Sequence, residues 1–197
     1  MTRPVLAIGP ANHAGQADTW CAAVRQHLAA DAWSFGHDPL GPPHPFRFRS
    51  DRTIGKYSYR NPILRGARSR AFFRGATHVA LDGYLPSFHL RRRGNVGPYA
   101  RQLADMGYLL ALIAHGSDVR DPDLHMELDP WSYFREGSVE WLDSVRALSA
   151  QNRATAESAG VPLYFSTPDM AADLPTASWL PVCLDVAAWR THAAVLE

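Results

Sequence analysis

The 197-residue sequence contains little cysteine and no long hydrophobic run. Its two cysteines, Cys21 and Cys183, fall in a predicted helix and a predicted strand, where a small buried thiol is a commoner role than a disulfide or a metal ligand. No apolar stretch approaches the roughly 18 residues that indicate a membrane-spanning helix. The residues from Met1 to Pro4 lead directly into a short strand rather than into the apolar core of a signal peptide. These absences predict a cytoplasmic location.

Several catalytic motifs are also missing. The segment from Gly9 to Gln16 follows the first predicted strand, but its glycines form neither G-x-G-x-x-G nor a P-loop. Ser117 lacks the flanking glycines of the hydrolase G-x-S-x-G motif. No His, Asp or Glu cluster has the spacing of metal ligands, so no metal and no cofactor are predicted. A nicotinamide oxidoreductase and a serine hydrolase are therefore disfavoured.

The basic residues are almost all arginine, and they are unevenly distributed. Twelve of the twenty lie between Arg47 and Arg93, where Asp51 and Asp82 are the only acids. The rest of the chain carries eight basic residues against seventeen acids, and the net charge is +1. A cationic segment of this kind favours anionic partners such as sugar nucleotides, lipid phosphates, membrane surfaces or nucleic acid. It indicates only the sign of the partner's charge.

Predicted strands alternate with predicted helices along the whole chain. The segment 36–61 is rich in Pro, Gly and Arg without a clear period, which predicts a long flexible loop, and 121–135 reads as a second loop. Strands are predicted at 4–8, 32–35, 77–81, 108–114, 161–165 and 179–184, and helices at about 17–30, 62–75, 97–107 and 137–159. The pattern predicts one α/β domain over 1–197, with a mostly parallel Rossmann-like sheet and helices on both faces.

Polar residues follow a strongly apolar strand in the middle of the chain. The run from Tyr108 to Ala114 has no polar alternation, which is typical of a strand buried on both faces of a parallel sheet. Ligands of such sheets bind beyond the carboxyl ends of the strands, where His115, Gly116 and Asp118 stand. The same residues could instead form a simple turn, with Gly116 supplying the bend and Asp118 capping local amides.

Two further strand ends carry candidate binding residues. The loop from Gly9 to Gln16 lets the backbone approach a ligand, and the helix behind it offers free N–H groups to phosphate. A plain strand-to-helix turn is the alternative for this loop. Asp82 ends the strand at 77–81 in the same way that His115 follows its own strand.

Three segments together resemble the amino-terminal half of a GT-B glycosyltransferase of the family 4 type. They are Gly9 to Gln16, His115 to Arg120, and Trp179 to Asp185. The family 1 enzymes are a second group that this half resembles. The resemblance implies that this domain holds the acceptor, while a second Rossmann-like domain across a cleft holds the nucleotide sugar. The segment 179–197 would lead into that second domain. Because the sequence stops at Glu197, we expect a fragment, one half of a split enzyme or a noncatalytic relic, inactive without a carboxyl-terminal half.

The resemblance also implies roles for individual residues. His115 would contact the sugar or the acceptor hydroxyl, since an imidazole that titrates near neutrality suits proton transfer. Asp118 would orient that imidazole or an acceptor hydroxyl. Arg120 would bind acceptor phosphate, or pair with Asp121 or Asp123. The candidate catalytic residues are His115 and Asp118, and the candidate substrate-binding residues are Gly9, Asn12, Gly15, Gln16, Asp82, Gly116 and Arg120.

The implied partners are a nucleotide sugar, a sugar or lipid-linked acceptor, and a separate carboxyl-terminal half. Peripheral contact with the anionic inner face of a membrane is a further expected interaction. No nucleic acid partner is expected. The alternative function is a noncatalytic module that docks on a partner protein or an anionic membrane through its Arg-rich segment.

Overall fold

The structure, a computed structural model, describes residues 3–38, 48–55, 64–88, 95–186 and 190. Its strands form one parallel sheet in the order β3-β2-β1-β4-β5-β6-β7. The strands are β1 (Val5–Gly9), β2 (Asp31–His37), β3 (Arg52–Ile54), β4 (His78–Asp82), β5 (Leu109–Ala114), β6 (Leu163–Phe165) and β7 (Ser178–Trp179). The prediction of a Rossmann-like α/β domain with a parallel sheet is confirmed.

The helices begin and end at residues suited to those positions. Asn95 accepts a hydrogen bond from the N–H of Gly97 at the start of α3 (Val96–Asp105), and Ser138 accepts one from Trp141 at the start of α5 (Val139–Ala159). Gly160 follows α5 in the left-handed conformation, which ends that helix at low cost. The helices are α1 (Gln16–His27), α2 (Arg65–Phe72), α3 (Val96–Asp105), α4 (Pro122–Leu128) and α5 (Val139–Ala159).

Alternate residues of the strands point to two separate cores. On the face packed against α2, α3 and α5, side chains such as Phe35, Leu81 and Leu112 are fully buried. We call this the closed face. The other face carries Ile8 and Ile113 and is covered by α1 through residues that include Trp20. We call it the open face, because α1 is the one helix packed on it among the described residues.

Beside α1, the open face forms a groove of about 930 Å³ with mainly apolar walls. Ile8, Ala80 and Tyr164 line it from three different strands. Leu109, in the interior strand β5, also lines it and is 62% exposed. Helices therefore lie on both faces of the sheet, as predicted, but they cover the two faces unequally.

The structure corrects the predicted loops. Within the predicted loop 36–61, β2 continues to His37 and β3 forms at Arg52–Ile54. This strand carries no apolar run because it has one buried residue, Ile54, and two exposed ones. The predicted loop 121–135 contains α4, which has Asp121 as its N-cap and Pro122 in its first turn. The remainder of the first loop, 39–47 and 56–61, lies outside the described residues, as does most of the predicted lead-in after residue 186.

Candidate functional site

The candidate site lies where the sheet changes its winding direction. From β1 the chain proceeds to β2 and β3 on one side, whereas β4 to β7 extend on the other side. β1 and β4 are neighbours, so the loops that follow them lie side by side at this point, which is where ligands of such sheets commonly bind. The loop after β5 joins them, because β5 pairs with β4 in a register that sets Ile113 opposite Asp82. Three strand ends from distant parts of the sequence meet here.

Asp82 lies at the centre of this site and has no exposed surface. One carboxylate oxygen accepts a hydrogen bond from the N–H of Ala11 at 2.6 Å, and the other accepts one from Asn12 at 2.8 Å. The second oxygen also lies 3.4 Å from Nε2 of His115. A buried carboxylate needs such partners, since an unpaired charge in the interior is costly. Asp82 thus connects the loop after β1 with the loop after β5.

The loop from Gly9 to Gln16 depends on its glycines. A Cβ on Gly9 would lie 2.1 Å from the carbonyl oxygen of Phe35, so the close approach of β1 and β2 requires glycine there. Gly15 has a φ of 75°, in the region that favours glycine. A Cβ on Gly15 would lie 3.0 Å from the ring of Phe48, so residues 48–50 pack over this loop. The Gly9–Pro10 peptide bond is cis.

The side chains of Asn12 and Gln16 are occupied by the protein itself. Asn12 accepts a hydrogen bond from the N–H of Ala17 and donates to the carbonyl of Arg49 and the hydroxyl of Ser50. Gln16 exchanges two hydrogen bonds with the backbone of Cys183, at 2.9 and 3.2 Å. Both residues therefore shape the site in this structure, and a ligand here would meet mainly backbone.

The imidazole of His115 is surrounded by three groups. Nε2 faces Asp82, the ring of His13 lies edge-on at 4.8 Å between centroids, and the ring of Trp20 is stacked at 5.7 Å. The side chain of His115 is 9% exposed. Its orientation is therefore set by packing and by a carboxylate.

Asp118 does not contact the imidazole of His115, although orienting that imidazole is one of the roles that the resemblance implies for it. Its carboxylate accepts hydrogen bonds from the N–H groups of His115 and Gly116, the latter at 2.6 Å. It caps the turn, which is the alternative that the sequence left open. The carboxylate that faces the His115 imidazole is Asp82.

Arg120 pairs with an acid other than those considered from the sequence. Its guanidinium contacts Asp169 at 2.7 Å and also donates to Thr167 and to the hydroxyl of Tyr133. Asp121 pairs instead with Arg153, and Asp123 with Arg146, so each of the two acids considered for Arg120 has another arginine as its partner.

Sequence reasoning missed His13 and Trp20 as members of the site. His13 lies within the predicted binding loop, Gly9 to Gln16, and this position could have identified it as a site residue. Trp20 lies within the helix predicted at about 17–30, and no motif marks it as a site residue. Partial burial lowers the pKa of His13 below its usual value of 6.5, and the neighbouring His115 lowers it further.

The described residues include no group of three or more His, Cys, Asp or Glu placed to hold a metal ion. In the same part of the chain, none of the helices has the length and apolar character needed to cross a membrane.

Comparison with known proteins gives little guidance. No protein-family model and no curated protein matches the chain. Similar solved structures include a Burkholderia pseudomallei protein described as exported, with 12% identity and a TM-score of 0.38, covering 83% of this chain and 71% of that one. A likeness of this strength carries no argument about function.

Proposed function

We propose that this chain is the acceptor-side half of a glycosyltransferase that moves a sugar from a nucleotide-sugar donor to an acceptor. The observation that carries the proposal is the meeting of the Gly9–Gln16 loop, Asp82 and His115 beyond the carboxyl ends of β1, β4 and β5. In the GT-B enzymes that the sequence resembles, the donor is held by a second domain. Activity would therefore require a donor-binding unit that faces this edge of the sheet.

Glycosyl transfer develops positive charge on the sugar and negative charge on the departing diphosphate. The amino-terminal end of α1 would stabilise that negative charge through its dipole and through first-turn backbone N–H groups other than that of Ala17, which donates to Asn12. Asp82 holds the preceding loop by two backbone hydrogen bonds, so the loop would not need to reorganise when charge develops. Preorganisation of this kind is a large contribution to catalysis.

His115 is the candidate for direct contact with the sugar or the acceptor hydroxyl. Its ring is oriented by Asp82 on one side and by Trp20 on the other. It would then accept a proton from the acceptor or stabilise the reacting sugar by hydrogen bonding. Asp118 and Gly116 would support this by fixing the turn that carries the imidazole.

The proposal can be tested by a transfer assay with the full chain and a donor-binding polypeptide from the neighbouring reading frame. We expect transfer from a nucleotide sugar only when both are present. His115→Ala should lower turnover by about 10²- to 10⁴-fold, the usual range for a lost acid or base. Ser117→Ala is the matched control, since Ser117 is exposed two residues away. Unchanged turnover in His115→Ala would remove this residue from the mechanism.

A noncatalytic module that docks on an anionic membrane is the second candidate. The observation that favours it is the exposure of Arg70 and Arg74 in and just after α2, within the Arg-rich segment. Sedimentation with phosphatidylglycerol vesicles tests it. Binding that is lost in the Arg70→Glu, Arg74→Glu double variant, together with no transfer under any condition, would favour this function over the glycosyltransferase.

A further inference from the structure

Tyr84 has an unusual backbone conformation for a residue of its size. Its φ is 53°, and the preceding residue, Gly83, has a φ of 65°, so the turn after β4 contains two successive left-handed residues. Glycine adopts this region freely, whereas a bulky side chain rarely does. A strained conformation of this kind persists only where the surrounding structure enforces it, and such residues cluster at functional sites.

The side chain of Tyr84 holds the turn through its ring. It is 1% exposed and belongs to the core of the closed face. Its hydroxyl has no hydrogen-bond partner among the described residues, and burial raises the pKa of that hydroxyl well above its usual value of 10.0. An unpartnered buried hydroxyl is unfavourable, as is the left-handed backbone. The favourable contribution of Tyr84 is therefore the burial of its apolar ring.

The turn held by Tyr84 packs directly on the loop after β1. A Cβ on Gly83 would lie 2.9 Å from the Cβ of Ala11 and 3.5 Å from Nε2 of His13. Glycine is therefore required at this position by space as well as by its φ. The close approach also means that the backbone of the turn confines the imidazole of His13 from one side.

The same turn controls the position of Asp82. The N–H of Gly83 donates to the carbonyl of Ile113 in β5 at 2.8 Å, which fixes the turn next to that strand. Asp82 immediately precedes Gly83, and its carboxylate faces the imidazole of His115. A displacement of Tyr84 would therefore reach this carboxylate through one intervening residue.

From these contacts we propose that Tyr84 is a positioning residue, whose buried ring holds the left-handed turn against the candidate site. Through Asp82 the turn orients His115, and through Gly83 it confines His13. Tyr84 itself is too deeply buried to touch a substrate, so it acts only through these neighbours. The inference rests on the proposed function and adds to its site a residue from the core of the closed face.

The test follows the titration of His13 by NMR in the full chain, which needs no transfer reaction. In the wild type, burial and then His115 lower the pKa of His13 below 6.5, while Asp82 and Asp118 oppose that shift. Tyr84→Asn removes the ring but tolerates a left-handed backbone. The turn should then loosen, and His13 should titrate closer to 6.5. Tyr84→Phe keeps the ring, so its titration should match the wild type.

Tyr99→Asn is the matched control. Tyr99 is a comparably buried tyrosine of the same core, 4% exposed, but it lies in α3 with ordinary helical geometry. Its hydroxyl also has a partner, the hydroxyl of Ser69 at 3.2 Å. Tyr99→Asn should lower the stability of the fold and leave the titration of His13 unchanged. If the asparagine variants do not fold, the pair Tyr84→Leu and Tyr99→Leu carries the same expectations with an apolar side chain kept in the core.

The transfer assay supplies a second measurement. Tyr84→Asn should lower kcat by about ten- to a hundred-fold, because small displacements of reacting groups have effects of that size. Tyr84→Phe should retain the wild-type kcat.

Two results would overturn the inference. They are a titration of His13 that is unchanged by loss of the Tyr84 ring, and an equal change on loss of the Tyr99 ring, which would indicate general loosening of the core. The two proposals fail separately. A titration that depends on the Tyr84 ring, without any transfer, would remove the proposed function alone. Transfer that depends on His115, with a titration insensitive to Tyr84, would remove the positioning role alone.

Discussion

Leu112 and Leu109 lie on the same strand, β5, and point to opposite faces of the sheet. Leu112 is fully buried on the closed face, whereas Leu109 is 62% exposed on the open face. The strand itself is apolar on both sides, with Leu109, Ala111 and Ile113 alternating with three residues of the closed face. The difference in burial comes from what packs on each face: among the described residues, α1 covers Ile113 on the open face but leaves Leu109 exposed. The apolar sequence of a strand shows which side chains could be buried, but it does not show which helices cover them.

The largest expected effect compares these two leucines directly. Leu112→Ala should lower the free energy of unfolding by about 2–5 kcal/mol, because it leaves a cavity in a packed core. Leu109→Ala should cost less than about 1 kcal/mol, as for exposed positions. Urea denaturation monitored by circular dichroism measures both. Equal losses would mean that the open face is covered in solution.

The next effect concerns the carboxyl-terminal edge of the sheet, where Asp82 joins the loop after β1 to the loop after β5. Asp82→Asn should cost about 1–3 kcal/mol, because an amide has one oxygen where the carboxylate uses two to accept backbone N–H groups. Asp123→Asn is the control, since Asp123 is an exposed partner of Arg146. An Asp82→Asn protein as stable as the control would contradict the anchoring role, and thermal denaturation at neutral pH makes the comparison.

A smaller effect is expected on the binding of a hydrophobic dye in the groove of the open face. The folded protein should bind anilinonaphthalene sulfonate in the groove, and Leu109→Gln should weaken that binding by roughly three-fold or more through lost apolar area, without adding a charge that attracts the anionic dye. Leu128→Gln alters an apolar residue of similar exposure, 68%, outside the groove and should leave groove binding unchanged. Dye that responds equally to both substitutions would not be reporting on the groove.

The smallest expected effect is the pH dependence contributed by His13. Its folded-state pKa is lowered by partial burial and by His115, so the neutral form is favoured on folding. This stability is present above the unfolded pKa of 6.5 and is lost as the pH falls through the lower folded value. His13→Asn should flatten the decline in stability between about pH 7 and pH 5. An unchanged pH profile would show that His13 has no part in it.

The strongly periodic parts of the fold could be predicted, and the weakly periodic parts could not. β5 and α5 were evident from continuous apolar character and from spaced apolar residues. β3 escaped prediction because it buries Ile54 alone. α4 was missed because it is short, although Asp121 and Pro122 supplied its start signals.

The candidate site was predicted as a set of strand ends but not as a set of contacts. The carboxyl ends of parallel strands share one edge, so Asp82 and His115 could be placed near one another. Their 3.4 Å contact depends on the pairing register of β4 and β5, which sequence patterns do not specify. Gln16 forms a hydrogen bond with the backbone of Cys183, 167 residues away in the chain, and no local sequence pattern predicts such a partner.

The sequence by itself determined that this chain alternates strands with helices and places polar residues where apolar strands stop, because hydrophobic period and turn chemistry are local properties. Only the tertiary structure decided that Asp82 rather than Asp118 faces the His115 imidazole and that, among the described residues, α1 leaves part of the open face uncovered. Those outcomes depend on strand order, register and helix packing, which bring together residues that share no local pattern.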